Sequence, residues 1–171
     1  MSPAAPAVAR GPAGASAPVV LTQLPQARPA GGGLLRFWGL EVYRAQLWVE
    51  PGFRRDGFER HAFALDIEYL RSLRGRDIAQ RSIDEMRRQA PLDEARARQW
   101  LAAMQQLFPD VQRGDRLTGV YRPDRGVTFL FNGRELGLKD DPEFARRFFA
   151  IWLAPQTSEP SLREQLLAGT E

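Results

Sequence analysis

A chain of 171 residues, 43% of them apolar, is the size of one domain and can bury roughly two-thirds of its unfolded surface in a single core. It contains no cysteine, which excludes disulfides, thiolate metal sites and thiol nucleophiles, and no apolar run of the roughly 18 residues that a membrane-spanning helix needs. The formal charge is only +3, with 24 basic residues scattered among 21 acidic ones. The pairs Arg54-Arg55, Arg87-Arg88 and Arg146-Arg147 lie far apart, so no basic tract marks a groove and no nucleic-acid partner is expected.

Residues 1–32 are rich in proline and alanine, hold few large apolar side chains before Val19, and run into Gly31-Gly32-Gly33. Such a composition cannot bury enough surface to offset its ordering entropy, so a flexible leader is expected over residues 1–32 and a folded domain over 33–171. Ala15-Ser16-Ala17 has the small-x-small form of a signal-peptidase site, but residues 1–14 lack the apolar segment that should precede it. Either the start is placed late, an export signal has been trimmed, or the tripeptide is chance.

From Gly33 the hydrophobic period becomes two. Leu35 and Phe37 share one face of a first strand, and Tyr43, Ala45, Leu47 and Val49 share one face of a second, with a hairpin turn near Gly39. Phe63, Leu65, Ile67 and Tyr69 then alternate with Ala64, Asp66 and Glu68, as in an antiparallel strand with one face on a core and one in water. Asp66 and Glu68 are read as solvated ion pairs with Arg71 nearby.

Helical spacing follows. Ala79, Ile83, Met86 and Ala90 make one stripe and Ala97, Trp100, Leu101, Met104 and Phe108 another, with Pro91 breaking the chain between them. Strands are predicted at 117–121, 127–131 and 134–138, the last two joined by an Asn132-Gly133 turn. Asp141 is an N-cap with Pro142 at the first helical position, ahead of Phe144, Phe148, Ile151 and Trp152 on one face. A closing helix carries Leu162, Leu166 and Leu167, with a Ser161-x-x-Glu164 capping box as one way to start it. This order describes an α+β domain with helices on one side of an antiparallel sheet.

The segment 35–50, with Gly39-Leu40-Glu41-Val42-Tyr43 followed by Leu47-Trp48-Val49, resembles the bacterial chalcone-isomerase-like family. The resemblance extends through Arg76-Asp77-Ile78-Ala79, Glu85-Met86, Phe108-Pro109-Asp110-Val111, Phe131-Asn132-Gly133 and Phe144-Ala145 to Ile151-Trp152-Leu153. It implies an open-faced β-sandwich, an antiparallel sheet with a layer of helices, and a cleft between them. The plant enzymes of that fold use an arginine on the first hairpin, a threonine on the next strand, and a tyrosine and an asparagine on the first helix. Aligning the motifs puts Arg36, Tyr43, Ile78 and Glu85 at those positions, which makes them the candidate ligand-binding residues and leaves no catalytic set. Ile78 can neither donate nor accept a hydrogen bond, and Glu85 would repel a carboxylate unless an arginine neutralised it.

The family therefore implies a noncatalytic protein holding a small apolar or anionic amphipathic ligand, such as a fatty acid, or a protein partner. Phe37, Tyr43, Trp48, Phe63 and Tyr69 are the aromatics that could line its tunnel, with Arg36 or Arg44 as the anion partner. The alternatives are an isomerase or lyase acting on a chalcone-like or other small aromatic substrate, and a structural domain with a filled cleft. Members are often exported, which implies the periplasm or cell envelope, and otherwise the cytoplasm. No cofactor and no metal are expected: His61 is the single histidine, Gly31-Gly32-Gly33 opens a strand instead of a phosphate-binding helix, and Asp140-Asp141 is explained by the N-cap.

Overall fold

The computed structural model describes residues 17–171, and the period-two alternation of the strands organises it. A short helix, α1 (Ala17–Gln23), leads into the hairpin of β1 (Arg28–Phe37) and β2 (Leu40–Val49). Its two turn residues, Trp38 and Gly39, have φ of 53° and 77°, the left-handed pair that suits the right-handed twist of the strands. β3 (Phe63–Tyr69), β4 (Arg116–Arg122), β5 (Gly126–Phe131) and β6 (Arg134–Lys139) continue the sheet, and among the described residues all six strands lie side by side, antiparallel, in chain order. Asn132 and Gly133 turn β5 into β6, again with positive φ, 48° and 85°.

The longest connection, between β3 and β4, holds α2 (Gly75–Gln89) and α3 (Glu94–Leu107). Asp93 caps α3, its carboxylate accepting from the Arg96 amide at 3.1 Å. α4 (Pro142–Leu153) begins as its sequence predicts, with the Asp141 carboxylate accepting from the Phe144 amide at 3.1 Å and from Trp100 Nε1 at 3.0 Å. α5 (Pro160–Leu166) closes the domain and starts at Pro160 with Glu159 at the N-cap position, two residues ahead of the expected Ser161 cap.

These four helices cover one face of the sheet. Leu47, Val49, Phe63, Leu65, Leu117 and Phe129 from the strands pack with Ile83, Met86, Trp100, Met104, Phe148, Phe149, Leu162 and Leu166 in one buried cluster. Phe148 is at its centre, with the rings of Phe108, Phe129, Phe144, Phe149 and Trp152 at centroid distances of 5.2 to 6.2 Å.

The reverse face is divided. α1 seats Val20 and Leu24 on Trp48, Ala64, Val120 and Leu130. Beside them Asp66, 3% exposed, accepts from Arg116 Nη1 and Thr118 Oγ1, both at 2.7 Å. The expected face is right and the expected partner is not. Cross-strand register sets Asp66 opposite Thr118 and Glu68 opposite Arg116, so β4 supplies the guanidinium in place of Arg71, and the pair is buried instead of solvated.

Folded structure also begins before residue 33, which corrects the leader expected over residues 1–32. α1 and residues 28–32 of β1 fall inside that span, and Val20, Leu24, Ala27 and Ala30 are buried. Counting large apolar residues misses this because glycine serves β1 by its smallness. A Cβ on Gly31 would lie 2.1 Å from the Gln165 carbonyl oxygen, so α5 rests its backbone directly on that strand. Residues 1–16, with Ala15-Ser16 of the signal-like tripeptide, lie outside the described residues.

Gly31→Ala therefore pushes α5 off β1 and should cost about 2 kcal/mol, the usual penalty for overpacking against backbone. A lowered midpoint in chemical denaturation, with unchanged slope, checks it.

Candidate functional site

Where β1, β2 and β3 reach the first turns of α2, sheet and helices leave a cavity of about 420 Å³ between them. Leu35 and Phe37, Val42 and Tyr43, and Ile67 and Tyr69 form the sheet side. Ile78, Arg81, Ser82 and Glu85 form the helix side, at the spacing that brings one face of α2 to the sheet. Ile151 and Trp152 at the end of α4, with Ser158 and Glu159 ahead of α5, close a third side.

Of the four residues expected in a ligand site, Tyr43, Ile78 and Glu85 meet in this cavity and Arg36 does not. Leu35 and Phe37 face the cavity, so Arg36 between them faces away; a register irregularity at this step leaves Leu35 across from Tyr43 and Arg36 across from Glu41. The Arg36 side chain is 62% exposed and bridges Glu41 at 3.6 Å. Arg44 fails too, because it points to the reverse face near Asp66 and Glu68. Among the expected aromatics Phe37, Tyr43 and Tyr69 line the cavity, whereas Phe63 is in the core and Trp48 is under α1.

The cation is supplied by α2. Arg81 lies over the Phe37 ring, 5.5 Å from its centroid, and its guanidinium is 3.4 Å from the Glu85 carboxylate. Arg71, from the segment after β3, also lines the cavity. Arg81 was within reach of the sequence: it falls three residues after Ile78 and four before Glu85, on the same helix face. The family resemblance points instead to an arginine on the hairpin.

Glu85 is neutralised where it stands. Besides Arg81, it takes a contact from Arg88 Nε at 3.4 Å and a hydrogen bond from Ser158 Oγ at 2.9 Å. Its carboxylate ties the α4–α5 connection to α2, and Arg88 also donates to the Gln156 carbonyl. Thr157 Oγ1 completes the brace, donating to the Ile151 carbonyl at 2.6 Å and accepting from the Glu159 amide at 3.1 Å.

Two phenols give the cavity its polarity. Trp152 Nε1 donates to Tyr43 Oη at 2.9 Å, which uses one lone pair of that oxygen and leaves its proton to be donated elsewhere. Tyr69, 3% exposed, has its ring 6.0 Å from that of Tyr43 and no hydrogen-bond partner for its hydroxyl among the described residues. Burial holds both phenols protonated, pushing their pKa above the ordinary 10.0; for Tyr43 the Trp152 hydrogen bond pulls weakly the other way, and for Tyr69 the neighbouring Tyr43 adds to the rise. The site thus offers two O–H donors and a guanidinium to a guest held among apolar walls. A guest with an acceptor head and an apolar body matches that set. Among the described residues no cluster of His, Asp or Glu could hold a metal ion.

An antiparallel sheet with a helical layer on one face and an apolar chamber with a hydrogen-bonding floor between them defines the class, an open-faced sandwich built around a ligand-sized cavity. A family profile described as chalcone isomerase-like matches residues 30–168, and the chain belongs to that family. An uncharacterized protein of Haemophilus influenzae is 32% identical over 135 residues, 78% of this chain, and the chain spans 65% of that relative's length. Among solved structures, the fold is similar to that of a fatty-acid binding protein from Arabidopsis thaliana, with a TM-score of 0.64 at 13% identity over 83% of this chain and 87% of that one.

The phenols make a prediction about alkaline stability. An acid whose folded pKa is raised keeps its full stabilising contribution below the unfolded pKa and loses it as pH climbs from there toward the folded value. For Tyr43 and Tyr69 the loss starts near pH 10.0, at no more than about 1.4 kcal/mol per pH unit for each ring, and Tyr121, also raised by burial, adds to it. Denaturation midpoints recorded above pH 10.0 should fall less steeply in Tyr69→Phe than in the natural chain.

Proposed function

We propose that this protein is a noncatalytic member of the chalcone isomerase-like family that binds a small amphipathic acid, a fatty acid or similar molecule, in the cavity between β1–β3 and α2. The observation that carries the reading is the pair of protonated phenols, Tyr43 and Tyr69, facing an apolar chamber of about 420 Å³ beside Arg81. That volume lies within the range of about 300 to 1,000 Å³ common for small-molecule sites. A carboxylate at the phenols would accept from both hydroxyls and from the guanidinium, and its chain would lie along Leu35, Ile67, Ile78 and Ile151. The name of the Arabidopsis protein of similar fold supports the same ligand class. A place in the periplasm or cell envelope fits this reading, and release of the protein by osmotic shock checks it. Among the described residues no helix is long and apolar enough to cross a membrane.

Native mass spectrometry of gently purified protein, followed by titration with a panel of fatty acids, tests the proposal. A one-to-one adduct is expected, and neither a co-purifying nor an added acid bound would sink the idea. Arg81→Ala should weaken carboxylate binding by roughly tenfold, the worth of one charge-assisted hydrogen bond at a partly exposed site. Tyr69→Phe should weaken it several-fold while leaving the affinity for an uncharged long-chain alcohol nearly as it was.

Chemistry on a chalcone finds less support. The plant enzymes of this fold use a tyrosine and an asparagine on the first helix, whereas those positions hold Ile78, which cannot hydrogen-bond, and Glu85, which is already committed to Arg81, Arg88 and Ser158. Chalcone absorbance should decay no faster with the protein than with buffer. A clear rate increase that Arg81→Ala abolishes would restore the isomerase reading.

A further inference from the structure

The tip of the β1–β2 hairpin carries a cost that the fold does not recover. Trp38 sits in the first position of a two-residue turn at φ 53°, where asparagine, aspartate or glycine is favoured and a bulky side chain is strained. Its indole is 88% exposed, and the flanking Phe37 and Leu40 are 49% and 53% exposed. The only ring contact Trp38 makes among the described residues is edge-to-face with Phe37, at 6.1 Å. Beyond Gly39 the space is open. Three large apolar side chains are thus left about half or more exposed at the tip, by a turn that would be more stable without one of them.

From these observations we infer that the hairpin tip docks into the surface of a lipid bilayer. A tryptophan, a phenylalanine and a leucine on a protruding tip match the chemistry of the membrane–water interface, where indole rings sit at headgroup level. The rim's charges balance: Arg36, Arg71, Arg76 and Arg81 stand against Glu41, Asp77, Glu85 and Glu159, so the apolar side chains of the tip supply the attraction. A protein partner fits less well, because three side chains on a turn offer far less than the roughly 800 Å² per partner of a stable interface. Phe37 belongs both to the tip and to the cavity wall, so a docked tip sets the cavity mouth against the bilayer, where apolar acids are dissolved. This last step rests on the ligand reading proposed above, whereas docking itself is measured without it.

Co-sedimentation of the full chain with vesicles of equimolar phosphatidylglycerol and phosphatidylcholine tests the inference. Binding is expected on these vesicles and on phosphatidylcholine alone, with little dependence on salt, since the rim's charges balance. Trp38 emission should shift to the blue, since Trp48, Trp100 and Trp152 are already buried. Trp38→Phe should still bind but lose that shift. Trp38→Asn should relieve the turn, so its thermal midpoint stays equal or rises while vesicle partitioning drops roughly tenfold or more. Failure of the natural chain to sediment with vesicles, or undiminished binding by Trp38→Asn, overturns the inference. It is also overturned if Trp38→Asn dissociates an oligomer in vesicle-free sedimentation velocity, because the tip would then seat a second copy. Vesicle binding without fatty-acid binding would leave the docking surface standing and remove the ligand reading, and the converse would do the opposite.

Discussion

The structure depends on one constraint, the alternation of side chains along β2, β3, β4 and β5, which gives the sheet a continuous apolar face that water cannot be left to cover. Ala45, Leu47 and Val49, then Phe63, Leu65 and Ile67, then Leu117 and Tyr121, then Val127 and Phe129, all project to that side. α2, α3, α4 and α5 each contribute one apolar face to cover it, and Phe148 is where their packing is densest. The cover is complete over β4 and β5 and incomplete over the open ends of β1, β2 and β3. The cavity is what remains of the apolar face where α2 and the α4–α5 connection do not close on the sheet.

That gap is held open by polar contacts instead of being filled by side chains. Glu85 fastens the α4–α5 connection to α2 through Ser158 and Arg88, and Arg147 stitches α4 to the end of α2 by donating to the Met86 and Ala90 carbonyls at 3.1 and 2.9 Å. Trp152 spans the remaining distance to Tyr43. A carboxylate that the family comparison makes look out of place in a cleft is, in this chain, part of the brace that shapes it, and its charge is spent before any guest arrives. The phenols are in the opposite condition. Each retains a proton that no described residue accepts, and both rings line the cavity, where a guest or water can take it.

Much of the fold was legible in the sequence because its signals are local. Periods of two and 3.6 separated strands from helices, Asn132-Gly133 set a turn, and Asp141 with Pro142 started α4. Three of the four candidate site residues, Tyr43, Ile78 and Glu85, also meet as their motifs imply. The failures were of two kinds. Val20, Leu24 and Gly31 look like leader by composition, since what makes them structural is a helix that arrives from the far end of the chain and a sheet face completed by β4 and β5. Arg36 looks like the site's cation by its place in the hairpin, but it alternates with Leu35 and Phe37, which line the cavity, and so faces solvent.

By itself the sequence determined the family, the α+β layering and the inner face of the first three strands, because those follow from residue type and spacing along a few turns or strand steps. Only the tertiary structure decided that Arg81 and not Arg36 attends the cavity, that Glu85 is neutralised, that Arg116 is the partner of Asp66, and that Trp38 stands free beside the mouth. Each of those depends on cross-strand register or on helix placement, and both are set by the packing of segments far apart in the chain.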